Sequence, residues 1–208
     1  MKQQGLFITF EGPDGSGKTT QIQLLQKYFQ QKGLRCLLSR EPGGTEIGEK
    51  IRTLLLDKAH TEMDFAAEAL LYAAARAQHV AQVIGPALRR GEVVICDRFV
   101  DSSIAYQGYG RQLGEVVAQI NRFATGELCP DVTFFMQLAP EKARERIKAR
   151  KCDRLELEQL AFHQRVFAGY QQLEQAEPQR IVAIDASGSI EEIHEIICER
   201  MEALLLCR

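Results

Sequence analysis

The run Gly12-Pro13-Asp14-Gly15-Ser16-Gly17-Lys18-Thr19 follows an apolar, strand-like segment, Leu6 to Glu11, and opens a segment in which Ile22, Leu25 and Phe29 recur at helical spacing. Strand, glycine-rich turn and helix in that order match the phosphate-binding loop G-x-x-x-x-G-K-[ST]. Its glycines let backbone N–H groups curl around phosphate oxygens. Lys18 reaches the β- and γ-phosphates as a mobile charge, and the Thr19 hydroxyl holds Mg²⁺. The helix N-terminus adds a positive dipole end. The implied ligand is a nucleoside triphosphate cradled by residues 12–19.

Such a loop needs a parallel sheet behind it, and the chain supplies one. Strand-like runs at Leu6 to Glu11, Leu34 to Ser39, Val93 to Asp97, Val132 to Leu138 and Ile181 to Asp185 alternate with helical patterns, and several are apolar on both faces. Gly33 and Gly91 stand where helices stop before the second and third strands. Asp64 is placed to cap a helix carrying Ala69, Leu70, Ala73 and Ala77. The expected fold is α/β, a three-layer P-loop NTPase fold with a five-stranded parallel sheet flanked by helices. At 208 residues, with no repeat or Pro/Gly/Ser linker, residues 1–208 read as one domain.

The formal charge is −2, from 26 Lys and Arg against 28 Asp and Glu, which gives no global attraction to nucleic acid or an anionic membrane. Six cysteines show neither C-x-x-C pairing nor the His spacing of a zinc site. With no apolar leader in residues 1–5 and no long apolar span, a reduced, cytoplasmic setting is expected.

Ligands of parallel sheets bind beyond the carboxyl ends of the strands, and charged residues cluster there. Asp97 and Arg98 follow the third strand, the carboxylate suited to organising Mg²⁺ and its waters, the guanidinium to bridging phosphates. Arg40 follows the second strand in Arg40-Glu41-Pro42-Gly43-Gly44, a stiffened turn. Tyr72 and Arg76 share a helix face, either as core or as a ring for a base beside a donor for phosphate or carbonyl. From Arg144 to Arg154, six of eleven residues are cationic, either a solvated helix face or a lid (approximately 141–155) closing over transferring phosphate.

Over essentially its full length the chain resembles the thymidylate kinase family. The likeness rests on the P-loop with Asp14 inside it, the Arg-Glu-Pro-Gly-Gly turn, the Tyr72 to Arg76 helix, Asp97-Arg98-Phe99, Ser102-Ser103-Ile104-Ala105-Tyr106-Gln107-Gly108, and the basic segment after them. The resemblance implies transfer of the γ-phosphoryl group of ATP to dTMP with Mg²⁺, by a homodimer that includes the apolar face near residues 65–84.

By position, the resemblance implies that Asp14 accepts the 3′-hydroxyl of dTMP and that Arg40, Arg76 and Arg98 hold its phosphate. Tyr72 would stack on thymine, Ser103 and Gln107 face the base edge, and Tyr106 wall off a 2′-hydroxyl. Lys18 and Thr19 with Asp97 would serve the donor phosphates and metal. Lacking an arginine in its P-loop, the chain would draw the transition-state cation from the lid: Arg150 first, then Arg146 and Arg154. Another nucleotide or nucleoside kinase of this fold is the alternative, and a non-enzymatic NTP switch would leave the acceptor motifs unexplained.

Overall fold

The structure, a computed structural model, describes residues 5–148 and 153–206. Its centre is a five-stranded sheet of β1 (Leu6–Glu11), β2 (Cys36–Arg40), β3 (Val93–Asp97), β4 (Val132–Gln137) and β5 (Ile181–Asp185). All pairings are parallel, in the order β2-β3-β1-β4-β5. The first, third and fifth strands have the expected bounds. The second starts later than expected because the Leu34 N–H closes the preceding helix on the Phe29 carbonyl and cannot join the ladder.

Among the described residues the helices are α1 (Lys18–Gln31), α2 (Glu46–Leu56), α3 (Phe65–His79), α4 (Gly85–Arg89), α5 (Val100–Ser103), α6 (Val116–Thr125), α7 (Pro140–Ile147), α8 (Leu160–Ala176) and α9 (Ile190–Leu206). Two π-helical stretches, Val80–Ile84 and Ile104–Gly110, continue α3 and α5. Asp64 caps α3, its carboxylate accepting from the N–H groups of Ala66 and Ala67.

Alternation along β1 builds two cores. Leu6, Ile8 and Phe10 pack with Ile22, Leu25 and Phe29 of α1 and Ile193 and Ile197 of α9, while Phe7 faces Val94, Cys96, Phe99 and Leu88 on the other side. A third cluster joins Leu55, Tyr72, Phe135, Phe162 and Tyr170 under the cleft. Every residue of β1 is buried, as a central parallel strand requires.

The strand order positions the site. Beginning at β1, the chain builds β2 and β3 to one side and β4 and β5 to the other, so β1 ends at the topological switch. Phe10 is level with Asp97 and Arg40 is also level with Asp97, which brings the carboxyl ends of β1, β2 and β3 to one rim.

Candidate active site

The P-loop turns through left-handed backbone at Gly12, Gly15 and Gly17, with φ of 125°, 81° and 89°. Gly12 is constrained twice, because a Cβ there would lie 2.5 Å from the Met136 carbonyl oxygen. No side chain caps the first turn of α1, so its amides line an anion-binding end. Lys18 is buried and folds back along the loop, donating to the carbonyls of Gly12 (3.1 Å) and Pro13 (3.0 Å), with Asp14 at 3.8 Å. Burial, and next the Arg98 charge, lower its pKa against the opposing carboxylates of Asp14, Asp97 and Glu11. Thr19 is exposed at the start of α1.

A cavity of about 210 Å³ opens beside this loop. Pro13, Asp14, Arg40, Tyr72, Arg76, Asp97, Arg98, Ser103, Tyr106 and Gln107 all line it. Every residue expected at an acceptor nucleotide therefore faces one space, although the residues come from five separate stretches of chain.

Arg98 holds the middle. It has φ of 70° without being glycine, a strained conformation of the kind that collects at functional sites. Its N–H joins the Phe10 carbonyl, and its guanidinium reaches Asp14 (3.2 Å) and Ser102 (3.2 Å) and lies over the Tyr106 ring at 5.2 Å. Burial pushes the half-buried Tyr106 hydroxyl up to about 12, so it stays neutral.

Glu11, which the sequence reading did not single out, organises this turn from below. Wholly buried at the end of β1, it accepts from the Phe99 N–H (2.7 Å), Ser102 Oγ (2.5 Å) and Tyr170 OH (2.8 Å). Burial first, then the Asp101 charge, raise its pKa to about 7, with Arg98 opposing. A carboxylate ending an apolar strand directly before the P-loop was the available signal.

Arg76 is placed differently from the phosphate clamp that the resemblance implied. Only 1% exposed, its guanidinium donates through Nε to Glu41 (2.7 Å), through Nη1 to Ser103 (2.9 Å) and Asn121, and through Nη2 to the Phe99 carbonyl (2.8 Å). Four of its five N–H bonds are thereby committed. The same Glu41 carboxylate bonds His79 Nδ1 (2.9 Å), whose Nε2 bonds Ser39 Oγ (2.6 Å). Glu41, His79 and Cys96 lie within 4.8 Å of one another, but the carboxylate already serves Arg76 and His79. Gly44 is needed here because a Cβ would sit 2.7 Å from the His79 ring.

Arg40, by contrast, is about half exposed and forked onto Glu49 at 2.9 and 3.1 Å. Arg52, a second residue not singled out from sequence, lines the same cavity and donates to the Pro42 carbonyl. It lies inside α2, with nothing local to mark it.

The basic segment divides. Arg150 lies outside the described residues. Arg146, on α7, donates to the Gly15 carbonyl (3.1 Å) and the Ala186 carbonyl, so it straddles the P-loop and the loop after β5. Arg154 departs from the lid expectation: it turns inward to Glu68 (2.6 Å) and the Leu55 carbonyl (2.9 Å). In the loop after β5, Ser189 and Glu192 form a reciprocal capping box for α9.

The Mg²⁺ expectation meets one structural test. Asp97 Oδ1 is buried and has no hydrogen-bond partner among the described residues. An orphaned carboxylate oxygen at the rim suits a hard, oxygen-loving cation.

The family model for thymidylate kinase matches residues 10–197. Among relatives, a thymidylate kinase of Lactobacillus delbrueckii subsp. bulgaricus is 55% identical over 195 residues, covering 91% of this chain and 92% of that one. One of Bacillus velezensis is 48% identical over 97% of this chain and 99% of its own. The crystal structure of the thymidylate kinase of Ehrlichia chaffeensis superposes with a TM-score of 0.77 at 34% identity, covering 95% of this chain and 98% of that one.

Proposed function

The chain belongs to the thymidylate kinase family, so phosphorylation of dTMP by ATP to give dTDP and ADP is its reaction, and we propose the following roles for its residues. The observation that carries them is the single cavity at the P-loop rim, lined by the whole acceptor set. ATP phosphates lie against residues 12–19, with Lys18 leaving the Gly12 and Pro13 carbonyls to meet them. Mg²⁺, held by Thr19 and Asp97, supplies charge neutralisation at the phosphates when bound.

In the acceptor half, Arg98 and Arg40 take the dTMP phosphate, with Arg52 adding charge from α2. Asp14 receives the 3′-hydroxyl and Tyr72 stacks on thymine. Tyr106 stands against C2′, where a ribose hydroxyl would clash and be left unpartnered. Ser103 and Gln107 meet the base edge. With one N–H remaining, Arg76 serves that same edge as a donor to a carbonyl, because a bidentate phosphate grip would cost it the buried Glu41 partner. No general base is required: the nucleophile is already a phosphate oxygen, and catalysis is positioning and neutralisation. The lid supplies the transition-state cation. Arg150 is our first assignment, and Arg146 is a described arginine of the basic segment that already reaches the P-loop.

A homodimer is supported by exposed apolar side chains on neighbouring helices, with Leu70 of α3 55% exposed and Val116 and Phe123 of α6 47% and 92% exposed. A cytoplasmic setting accords with the free thiols of Cys36, Cys96, Cys129 and Cys198. No helix among the described residues is long and apolar enough to cross a membrane.

The test is ADP release from ATP and Mg²⁺ with and without dTMP, beside a panel of dUMP, dCMP, dGMP and thymidine. Release that requires dTMP and yields dTDP is expected. Release indifferent to dTMP, or favouring another acceptor, would overturn these pocket roles.

A further inference from the structure

Glu68 lies one helical turn before Tyr72 and two before Arg76 on α3, and it is fully buried. Its carboxylate accepts from Arg111 Nε (3.3 Å) and Nη2 (3.1 Å), from Arg154 Nη2 (2.6 Å) and from Gln107 Nε2 (2.9 Å). Burial alone would raise its pKa, but Arg111, Gln107 and Arg154 together outweigh burial and hold the group below its usual range. Glu68 is therefore ionised at neutral pH and has no proton to give.

That fixes Gln107. An amide can turn either its N–H₂ or its carbonyl toward a neighbour, but beside an acceptor-only carboxylate only the N–H₂ satisfies both groups. Gln107 lines the acceptor cavity, so Oε1, its sole side-chain acceptor, is the atom committed to a ligand. Thymine and uracil carry a donor, N3–H, where cytosine carries an acceptor, N3.

We propose that Glu68 is the positioning residue for pyrimidine choice: by holding Gln107 Nε2, it commits Oε1 to accept the N3–H of thymine and sets two acceptors face to face when cytosine enters. The inference rests on the reading of Gln107 at the base edge. Rejection then follows from a buried pair of lone pairs that neither water nor an amide flip can relieve, since a flipped amide would press its own carbonyl against the Glu68 carboxylate.

The experiment measures kcat and KM for dTMP, dUMP and dCMP with the full chain, ATP and Mg²⁺, in wild type, Glu68→Gln, Gln107→Leu and the double variant. Wild type is expected to favour dTMP over dCMP by about 100-fold or more in kcat/KM. Glu68→Gln, whose amide pairs with either orientation of Gln107, is expected to cut that ratio about tenfold, mainly through KM. The dTMP to dUMP ratio should stay unchanged, because both bases carry N3–H. In the Gln107→Leu background, Glu68→Gln should move the dTMP to dCMP ratio no further.

A folded Glu68→Gln variant with an unmoved dTMP to dCMP ratio would overturn the proposal, as would an equal shift in the Gln107→Leu background. Should Glu68→Gln fail to fold, a wild-type crystal structure with dTMP decides. Base N3 on a Gln107 amide that still bonds Glu68 supports the role, and an amide that has left Glu68 overturns it. Wild type with no preference for dTMP would instead overturn the pocket reading on which the inference rests.

Discussion

The two ends of the cavity are built on opposite plans. At the base end, Arg76, Glu41, Glu68 and Gln107 are all at most 4% exposed and answer one another within the protein. At the phosphate end, Lys18 rests on backbone carbonyls, Arg40 on a solvent-facing Glu49, and Arg146 on the rim of the P-loop. On the proposed roles the base end is fixed before any nucleotide enters, and its polar groups would discriminate because they cannot rearrange. At the phosphate end backbone carbonyls and a solvent-facing carboxylate are partners that phosphate oxygens can replace, and the surface Arg40–Glu49 pair exchanges at little cost. Substitutions at the base end should therefore show first in stability, and those at the phosphate end in turnover or affinity.

The largest effect is expected from the lid. Arg150→Ala should lower kcat roughly a thousandfold or more while changing dTMP affinity little, as for an arginine that meets charge only in the transition state. Single-turnover rates beside equilibrium binding separate the two quantities. An unchanged kcat would move the role to Arg146, on the Gly15 carbonyl. Arg154→Ala should act as a base-end substitution instead, lowering thermal stability by loosening Glu68.

Next comes Arg76→Ala, which strips Glu41 of its buried partner and leaves a carboxylate facing only His79. Breaking such a pair is expected to cost about 3–5 kcal/mol, read from urea unfolding. A loss below about 1 kcal/mol would erase the contrast between the ends.

This contrast also marks what the sequence could and could not disclose. The P-loop, the strand ends and the Asp64 cap were legible because each is a local rule: a glycine spacing, an apolar run, an acid before a helix. β1, β3 and β5 have the bounds their apolar runs predict. The residues proposed for the acceptor were picked out by short motifs and the family likeness, and the structure gathers them around one cavity. The base-end network was not legible. Arg76 pairs with a residue 35 positions away, and Glu68 with groups 39, 43 and 86 away. Nothing in helical spacing says which carboxylate a buried guanidinium will find, so Arg76 read as a free phosphate clamp.

Between the two ends sits Glu11, with its pKa raised from 4.5 to about 7. A carboxyl with a raised folded-state pKa binds a proton in the native chain that the unfolded chain has lost. Its contribution is therefore fully present below about pH 4.5 and is lost as pH rises to about 7, with no further change above. The full shift corresponds to at most about 3 kcal/mol. Glu11→Gln should flatten that part of the stability profile, measured by thermal unfolding between pH 5 and 8. An equally steep decline in the variant would assign the slope to other groups.

The smallest effect tests the exchange of partners directly. Arg40 and Glu49 are each nearly half exposed, so their forked pair contributes about 0–1 kcal/mol to folding. Arg40→Ala should therefore leave unfolding almost unchanged, yet raise the KM for dTMP about tenfold, because in the complex the same fork faces a phosphate. Glu49→Gln keeps the side chain's shape but lowers the competition for the guanidinium, and should tighten dTMP binding by about two- to threefold, as removal of a weak surface pair allows. Calorimetric titration of dTMP into both variants, with melting curves alongside, gives the four values needed. Arg40→Ala that costs more than about 2 kcal/mol of stability would place this arginine with Arg76 among the fixed groups. Arg40→Ala that leaves dTMP affinity where it was would remove it from the phosphate site and pass its part to Arg52, which shares the cavity and whose pKa burial and the Arg40 charge already lower.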